Sequence, residues 1–213
     1  MSDSILEKVD RRQQLLDVAE GLFAQKGYEA VSIRDLAKEA KVNIAMVSYY
    51  FGSKEKLFEA LIESKIPRTR ERLETLASSN LNPWEKLSQT VDMYADKFFA
   101  GRAFHKVVMR EMSLQQRPEH VKLITGYMAH NMELIRGFIV EGQEKGMFRY
   151  VDVELTIATI FGSLSTIINN GSLMCAMMKE EINDLIYSEQ FKARFKNHLK
   201  SLLQAHLVIS NQP

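Results

Sequence analysis

Apolar positions recur at spacings of three and four along nearly the whole chain, and sustained alternation of apolar and polar residues is missing. That pattern predicts an all-α protein. A first helix over about 4–26 carries Leu15, Val18, Ala19, Leu22 and Phe23 on one face and stops at Gly27. Ser32, with Asp35 three residues on, caps a short second helix. Asn43 caps a third, which ends near Phe51 where Gly52-Ser53 breaks it. Ser53 caps a fourth helix beginning at Lys54, which carries Leu57, Phe58, Leu61 and Ile62 and runs past Pro67 with a kink towards Ala77. Residues 78–83 form the clearest loop, with Asn82 as cap and Pro83 as the first residue of the next helix. Further helices are predicted over about 84–100, 103–116, 118–145, 152–176 and 188–209.

The second and third helices are about two turns each and are joined by Lys41-Val42-Asn43. Two short helices so connected, lying on a longer first helix, have the geometry of a helix-turn-helix. Val42 and Val47 point inward with Leu36, Ala37 and Ala40. The rest of the third helix presents Asn43, Ile44, Ala45, Met46, Ser48, Tyr49 and Tyr50, a short uncharged surface suited to thymine methyls and base edges in a major groove. An ordinary helical hairpin whose tyrosines cap a core would show the same periodicity, so the pattern leaves both readings open.

Composition changes the picture in a few places. The chain has 213 residues and a net charge of +1, and its first 65 residues hold 10 basic against 11 acidic side chains. Bulk electrostatics therefore does not point to DNA, although no acidic residue falls between Lys41 and Lys54. Affinity for DNA would rest on a few aimed contacts. A single cysteine excludes a disulfide scaffold and a Cys-based zinc site, and the five histidines show no metal-binding spacing. No Gly-rich phosphate loop, nucleophile elbow or paired-carboxylate motif supports an enzyme, and no cofactor is implied. The opening MSDSILEKVDRRQQ lacks the apolar run of a signal peptide, so a cytoplasmic protein is expected. The uncharged stretch from Leu155 to Met178 is long enough to span a bilayer, but its many Ser, Thr and Asn residues suit a buried helix with a small-residue face better.

Between Leu15 and Leu57 the chain resembles the DNA-binding domain of the TetR family of bacterial one-component regulators. The residues that carry the likeness are Ala19, Leu22-Phe23, Lys26-Gly27-Tyr28, Ser32-Ile33-Arg34, Leu36-Ala37, Ala40, Val42, Tyr50-Phe51, Ser53-Lys54-Glu55 and Leu57. The resemblance implies an N-terminal three-helix helix-turn-helix domain, residues 1–53, with helix 54–77 connecting it to a larger C-terminal helical domain, residues 54–213, for ligand sensing and dimerisation. It implies that Ser32 caps and contacts a phosphate, that Arg34 sits near base edges, and that Asn43 opens the reading helix. Ile44, Ala45, Met46 and Tyr49 would face bases, while Ser48, Tyr50 and Lys54 would meet phosphates. Two positions depart from the family. Lys41 stands where glycine is usual, and a left-handed lysine costs on the order of 1 kcal/mol. Ser48 stands where tyrosine is usual and has the shorter reach.

Residues 84–150 are rich in methionine and aromatic side chains, and the resemblance places a small-molecule cavity there. Tyr94, Phe98, Phe104, Met112, Tyr127, Met128, Met132 and Phe161 are the candidate lining residues; a plain helical core would use the same residue types. Homodimerisation is expected through the helices near 152–176 and 188–209, because such readers bind palindromic double-stranded DNA with recognition helices about 34–36 Å apart. The expected function is a repressor released by a small, apolar effector. The alternatives are a DNA-binding architectural or activator protein without sensing, and a ligand-binding bundle that has lost DNA binding.

Overall fold

The computed structural model describes residues 2–179 and 188–209, with side chains from Asp10 onward. Among the described residues the elements are α1 (Ser2–Lys26), α2 (Ile33–Glu39), α3 (Ile44–Phe51), α4 (Lys54–Lys65), α5 (Pro67–Ala77), α6 (Pro83–Ala100), α7 (Arg102–Leu114), α8 (Pro118–Glu144), α9 (Val153–Asn169), α10 (Gly171–Met178) and α11 (Glu189–Leu207). The extended backbone that pairs is an isolated antiparallel bridge between Phe148 and Val208. The chain divides into two compact units, neither of them a continuous segment. Residues 1–68 with 103–126 form the first, and 69–102 with 127–213 the second.

In the first unit, α1 buries Leu15, Leu16, Ala19 and Phe23 completely, and α4 buries Leu57, Phe58, Leu61 and Ile62. Helix α4 lies against α1 and α3. The second unit closes on Leu87, Val91 and Ala95 of α6, Ile135 and Ile139 of α8, Ile160 and Leu164 of α9, and Leu199, Leu203 and Leu207 of α11. Lys86 is nearly buried beside this core. Its ammonium donates to Glu141 at 3.0 Å and to the Ala77 carbonyl at 3.3 Å, which offsets its desolvation. At the end of α8, Gly142 lies so close to the Phe148 ring that a Cβ would not fit, and its carbonyl accepts both the Met147 and Phe148 N–H groups at 2.9 Å.

Two predicted helices are broken in the structure. The one expected over 54–77 is α4 and α5, with Ile66 as the cap of the first and Pro67 opening the second. A proline has no N–H for the carbonyl four residues back, and its ring crowds that turn. The one expected over 152–176 is α9 and α10, divided at Asn170, whose φ and ψ are −121° and 42°. Asn169-Asn170-Gly171 is a run of poor helix formers, and the Asn169 amide donates to the Ser165 carbonyl at 2.9 Å. Helix α9 buries Thr156, Ile160, Leu164, Ile167 and Ile168, while Thr159, Gly162 and Thr166 are exposed. No described helix is long and apolar enough to cross a membrane.

Candidate nucleic-acid interface

Local caps set the reading elements in place. Ser32 is extended, its Oγ accepts the Asp35 N–H at 3.1 Å, and the Asp35 carboxylate accepts the Ser32 N–H at 2.8 Å and its hydroxyl at 2.6 Å. Those hydrogen bonds from Ser32 hold the Asp35 carboxyl below the usual range. Leu36 and Ala37 then fall on the buried side of α2, and Arg34 on the exposed side. At the turn, Lys41 has φ 54°, as the sequence predicts, and the Val42 N–H reaches the Ala37 carbonyl at 2.9 Å. Glycine adopts this conformation without the Cβ penalty. Lys41→Gly is therefore expected to stabilise the protein by about 1 kcal/mol, raising the melting temperature by roughly 2–4 °C in thermal denaturation.

Asn43 caps α3 by accepting the Ala45 N–H on its Oδ1 at 3.0 Å. The helix is fixed by Val47, fully buried, and by Phe51, with the Arg12 guanidinium 5.2 Å above the Phe51 ring. Ile44, Ala45, Ser48 and Tyr49 share the exposed face opposite, and Tyr49 is 68% exposed. A large aromatic side chain left in solvent on a two-turn helix is the feature a groove-reading surface needs. Met46 and Tyr50 are half-buried at the edges of that face, with the Tyr50 ring edge-on to Tyr49 at 5.2 Å. Val42, predicted to be inward, is half-buried. Gly52, at φ 75°, ends the helix, and Ser53 caps α4 by accepting the Lys56 N–H at 3.1 Å.

Lys54 is held where sequence reasoning did not place it. Its ammonium lies 4.1 Å from the centre of the Tyr28 ring, and the Arg117 guanidinium lies 4.7 Å from the same ring. Burial lowers the Lys54 pKa, and Glu29 partly restores it. The Tyr28 hydroxyl donates to Glu55 at 3.1 Å, and burial, followed by the Glu55 charge, pushes that phenol well above its ordinary range. Arg117 also binds Glu29 at 2.5 Å. Beneath them His120 stacks on Phe58, with centroids 4.0 Å apart and planes 14° apart, and meets Tyr28 edge-on at 4.6 Å. Its Nδ1 is 2.8 Å from the Glu111 carboxylate. Gly27 has φ 84°, a left-handed conformation that favours glycine, and the Arg110 guanidinium lies against it. No local pattern in the sequence links residues 110–120 to residues 27–58, so this cluster was not legible beforehand.

Residues 15–61 match the family described as "Bacterial regulatory proteins, tetR family", and residues 80–169 match "Tetracyclin repressor-like, C-terminal domain". The chain is 30% identical over 140 residues to "Probable HTH-type transcriptional regulator YttP" of Bacillus subtilis (strain 168), covering 65% of this chain and 67% of that relative. The chain belongs to the TetR family of bacterial regulatory proteins. It is also 25% identical over 155 residues to "HTH-type transcriptional repressor KstR2" of Rhodococcus jostii (strain RHA1), covering 72% of this chain and 76% of the relative. The crystal structure of the transcriptional regulator FadR from Bacillus subtilis in complex with stearoyl-CoA shares the fold, with a TM-score of 0.69 and 22% identity over 90% of this chain and 96% of that one.

As a TetR-family regulator the protein is a DNA-binding transcription factor with an N-terminal helix-turn-helix and a helical C-terminal domain. Of its eight candidate effector-lining residues, the second unit brings together Tyr94, Phe98 and Phe161, with Phe161 edge-on to Tyr94 at 4.8 Å and 6.5 Å from Phe98. Met132 packs against the same core. Tyr127 and Met128 are half-buried on α8. Phe104 and Met112 fall instead within the first unit, with Phe104 buried, so these eight do not line one cluster inside a single unit. Asn131, 2% exposed within α8, is a polar member of the second core that sequence reasoning missed. Its signal was present, since Asn131 occupies the apolar stripe of Met128, Ile135 and Phe138 at helical spacing.

Proposed function

We propose that this TetR-family protein is a repressor that binds a palindromic operator as a homodimer and leaves it when a largely apolar effector binds. The exposed, uncharged face of α3, held at both ends by caps and from below by Val47, carries this reading. Ile44, Ala45, Met46 and Tyr49 meet base edges, with Arg34 beside them. Ser32, Ser48, Tyr50 and Lys54 lie on the phosphate side, and Asn43 acts as the cap that aims the helix. Because Lys54 is engaged by Tyr28, its contact with a phosphate requires either a shared position or a change in that cluster.

Dimerisation is assigned to the α9–α10 and α11 surfaces. Leu155, Leu173 and Met177 are 66%, 55% and 69% exposed there, and Leu202 on α11 is 41% exposed. The protein acts in the cytoplasm, where its operator is. Effector sensing belongs to the C-terminal helices around Tyr94, Phe98, Met132 and Phe161. Support for repression and for an apolar effector comes from a relative named as a repressor and from a neighbour solved with stearoyl-CoA. Release follows only if the effector binds the DNA-incompetent state better than the competent one. Titrating the operator-bound protein with fatty alcohols, acyl-CoAs and steroids, read by fluorescence anisotropy, is expected to give saturable release with one class. Operator affinity unchanged by all three classes contradicts effector release.

A further inference from the structure

Helix α1 brings a further cation to the end of the reading helix. The Arg12 guanidinium lies 5.2 Å from the centre of the Phe51 ring, and Phe51 is the last residue of α3. The next ring along is Tyr50, whose centroid is 6.4 Å from that of Phe51. Arg12 therefore flanks α3 on the side of Tyr50, beside the uncharged face that carries Ile44, Ala45 and Tyr49. The cation is exposed and has no hydrogen-bond or ion-pair partner among the described residues. Its neighbours at helical spacing on α1 are Lys8, Val9, Leu15 and Leu16, so the sequence offers it no carboxylate three or four residues away. The acids of this stretch stand elsewhere. Asp10 and Asp17 line a groove with Glu39 of α2, and Arg12 does not line it.

Other cations of the first unit are committed to carboxylates, Lys65 to Glu20 and Arg117 to Glu29. Arg12 is committed only to a ring. An arginine that rests on an aromatic face has its charge fixed in place while its planar fork of N–H donors stays available, and that fork matches a phosphate bidentately. The surroundings suit an anion, since no acidic residue falls between Lys41 and Lys54. A major groove is only about 12 Å wide, so groups that flank a helix seated in it face the phosphates along its rim. We infer that Arg12 is a DNA-backbone contact, held by Phe51 at the C-terminal end of α3 so that its guanidinium meets a phosphate of each half-site. The inference rests on α3 as the reading helix. It adds a contact from α1, outside the two helices of the helix-turn-helix, that supplies affinity without sequence information.

The test measures the full-length protein on its selected operator and on random-sequence duplex by fluorescence anisotropy across a salt series. Arg12→Met keeps a long side chain over the Phe51 ring and removes the charge. It is expected to weaken operator binding roughly tenfold at physiological salt. The slope of log affinity against log salt should become shallower by about 2 for the dimer, ~0.9 for each phosphate no longer neutralised. Random-sequence DNA should show the same change of slope, and Arg12→Lys should keep the wild-type slope. A methylphosphonate placed at each phosphate of a half-site in turn should weaken the wild type at one position to which Arg12→Met is indifferent. Thermal denaturation checks the fold, and Arg12→Gln repeats the series if Arg12→Met is unstable. An unchanged slope, with or without a loss of affinity, would overturn the inference and leave Arg12 as a cover for Phe51. The absence of any such phosphate position would overturn it too. In either case, operator binding abolished by Arg34→Ala with Tyr49→Ala leaves α3 standing as the reader. If neither that variant nor Arg12→Met weakens operator binding, the α3 reading falls as well.

Discussion

Replacing Arg34 and Tyr49 together by alanine is expected to lower operator affinity by on the order of 100-fold or more, with the fold unchanged. Each base-edge contact is worth roughly 1–3 kcal/mol, and two lost together give that factor or a larger one. The fold is insulated because both side chains are exposed, and Tyr49 touches only the edge of Tyr50 among the ring contacts described. The helix beneath is held by Asn43, Val47, Phe51 and Gly52, none of which the variant alters. A fluorescence-anisotropy titration near physiological salt measures the loss, and thermal denaturation checks the fold. The two substitutions should also act differently with salt. Removing the Arg34 cation should make the salt dependence slightly shallower, whereas removing the neutral Tyr49 should weaken binding at all salt concentrations alike. An operator affinity within twofold of the wild type would show that another surface reads DNA.

Phe58→Ala is expected to cost the first unit about 3–5 kcal/mol, a large share of the ~5–15 kcal/mol by which such proteins are stable. Phe58 is fully buried on α4 and stands at the centre of an aromatic cluster, with ring centroids 6.1 Å from Phe23, 5.4 Å from Tyr28 and 4.0 Å from His120. Its removal opens a cavity that the backbones of α1, α4 and α8 can only partly close. His120 would lose its stacking partner, and its Nε2 already lacks a hydrogen-bond partner among the described residues. Tyr28, which carries Lys54 and Arg117 on its ring, would lose support at the same time. In urea denaturation the midpoint should fall accordingly, and operator binding should be lost first at higher temperature. A cost below about 1 kcal/mol would mean that this cluster is not what holds α4 to the reading elements.

The parts of the molecule that sequence made legible are those with local causes. Ser32 with Asp35, Asn43, Ser53 and Asn82 with Pro83 cap helices through bonds spanning two or three residues, so their spacing alone reveals them. The left-handed Lys41 was legible only through the family resemblance, in which glycine is usual at that position. What stayed hidden depends on residues far apart in the chain. Arg117 meets Glu29 across 88 positions, and His120 meets Phe58 across 62, a separation that no periodicity encodes. The break at Asn170 was local but lay inside a strongly apolar pattern that outweighed it, whereas Pro67 was legible as a kink and divides the helix outright. For the candidate effector region, residue type pointed to eight side chains, of which Tyr94, Phe98, Met132 and Phe161 belong to the second core and Phe104 and Met112 to the first unit. Asn131 was passed over because a search for apolar lining residues ignores a polar residue on the apolar stripe.

The central claim is that α3 reads a particular palindrome. Affinity selection of genomic DNA fragments on the purified protein, near physiological salt, tests it most directly. The account predicts enrichment of a few palindromic sequences, abolished in the Arg34→Ala, Tyr49→Ala variant. Because residues 1–65 are slightly acidic overall, it also predicts little retention of random-sequence DNA. Tight, sequence-independent retention that survives the double substitution would contradict it, as would the absence of any enriched palindrome after refolding to remove bound ligand.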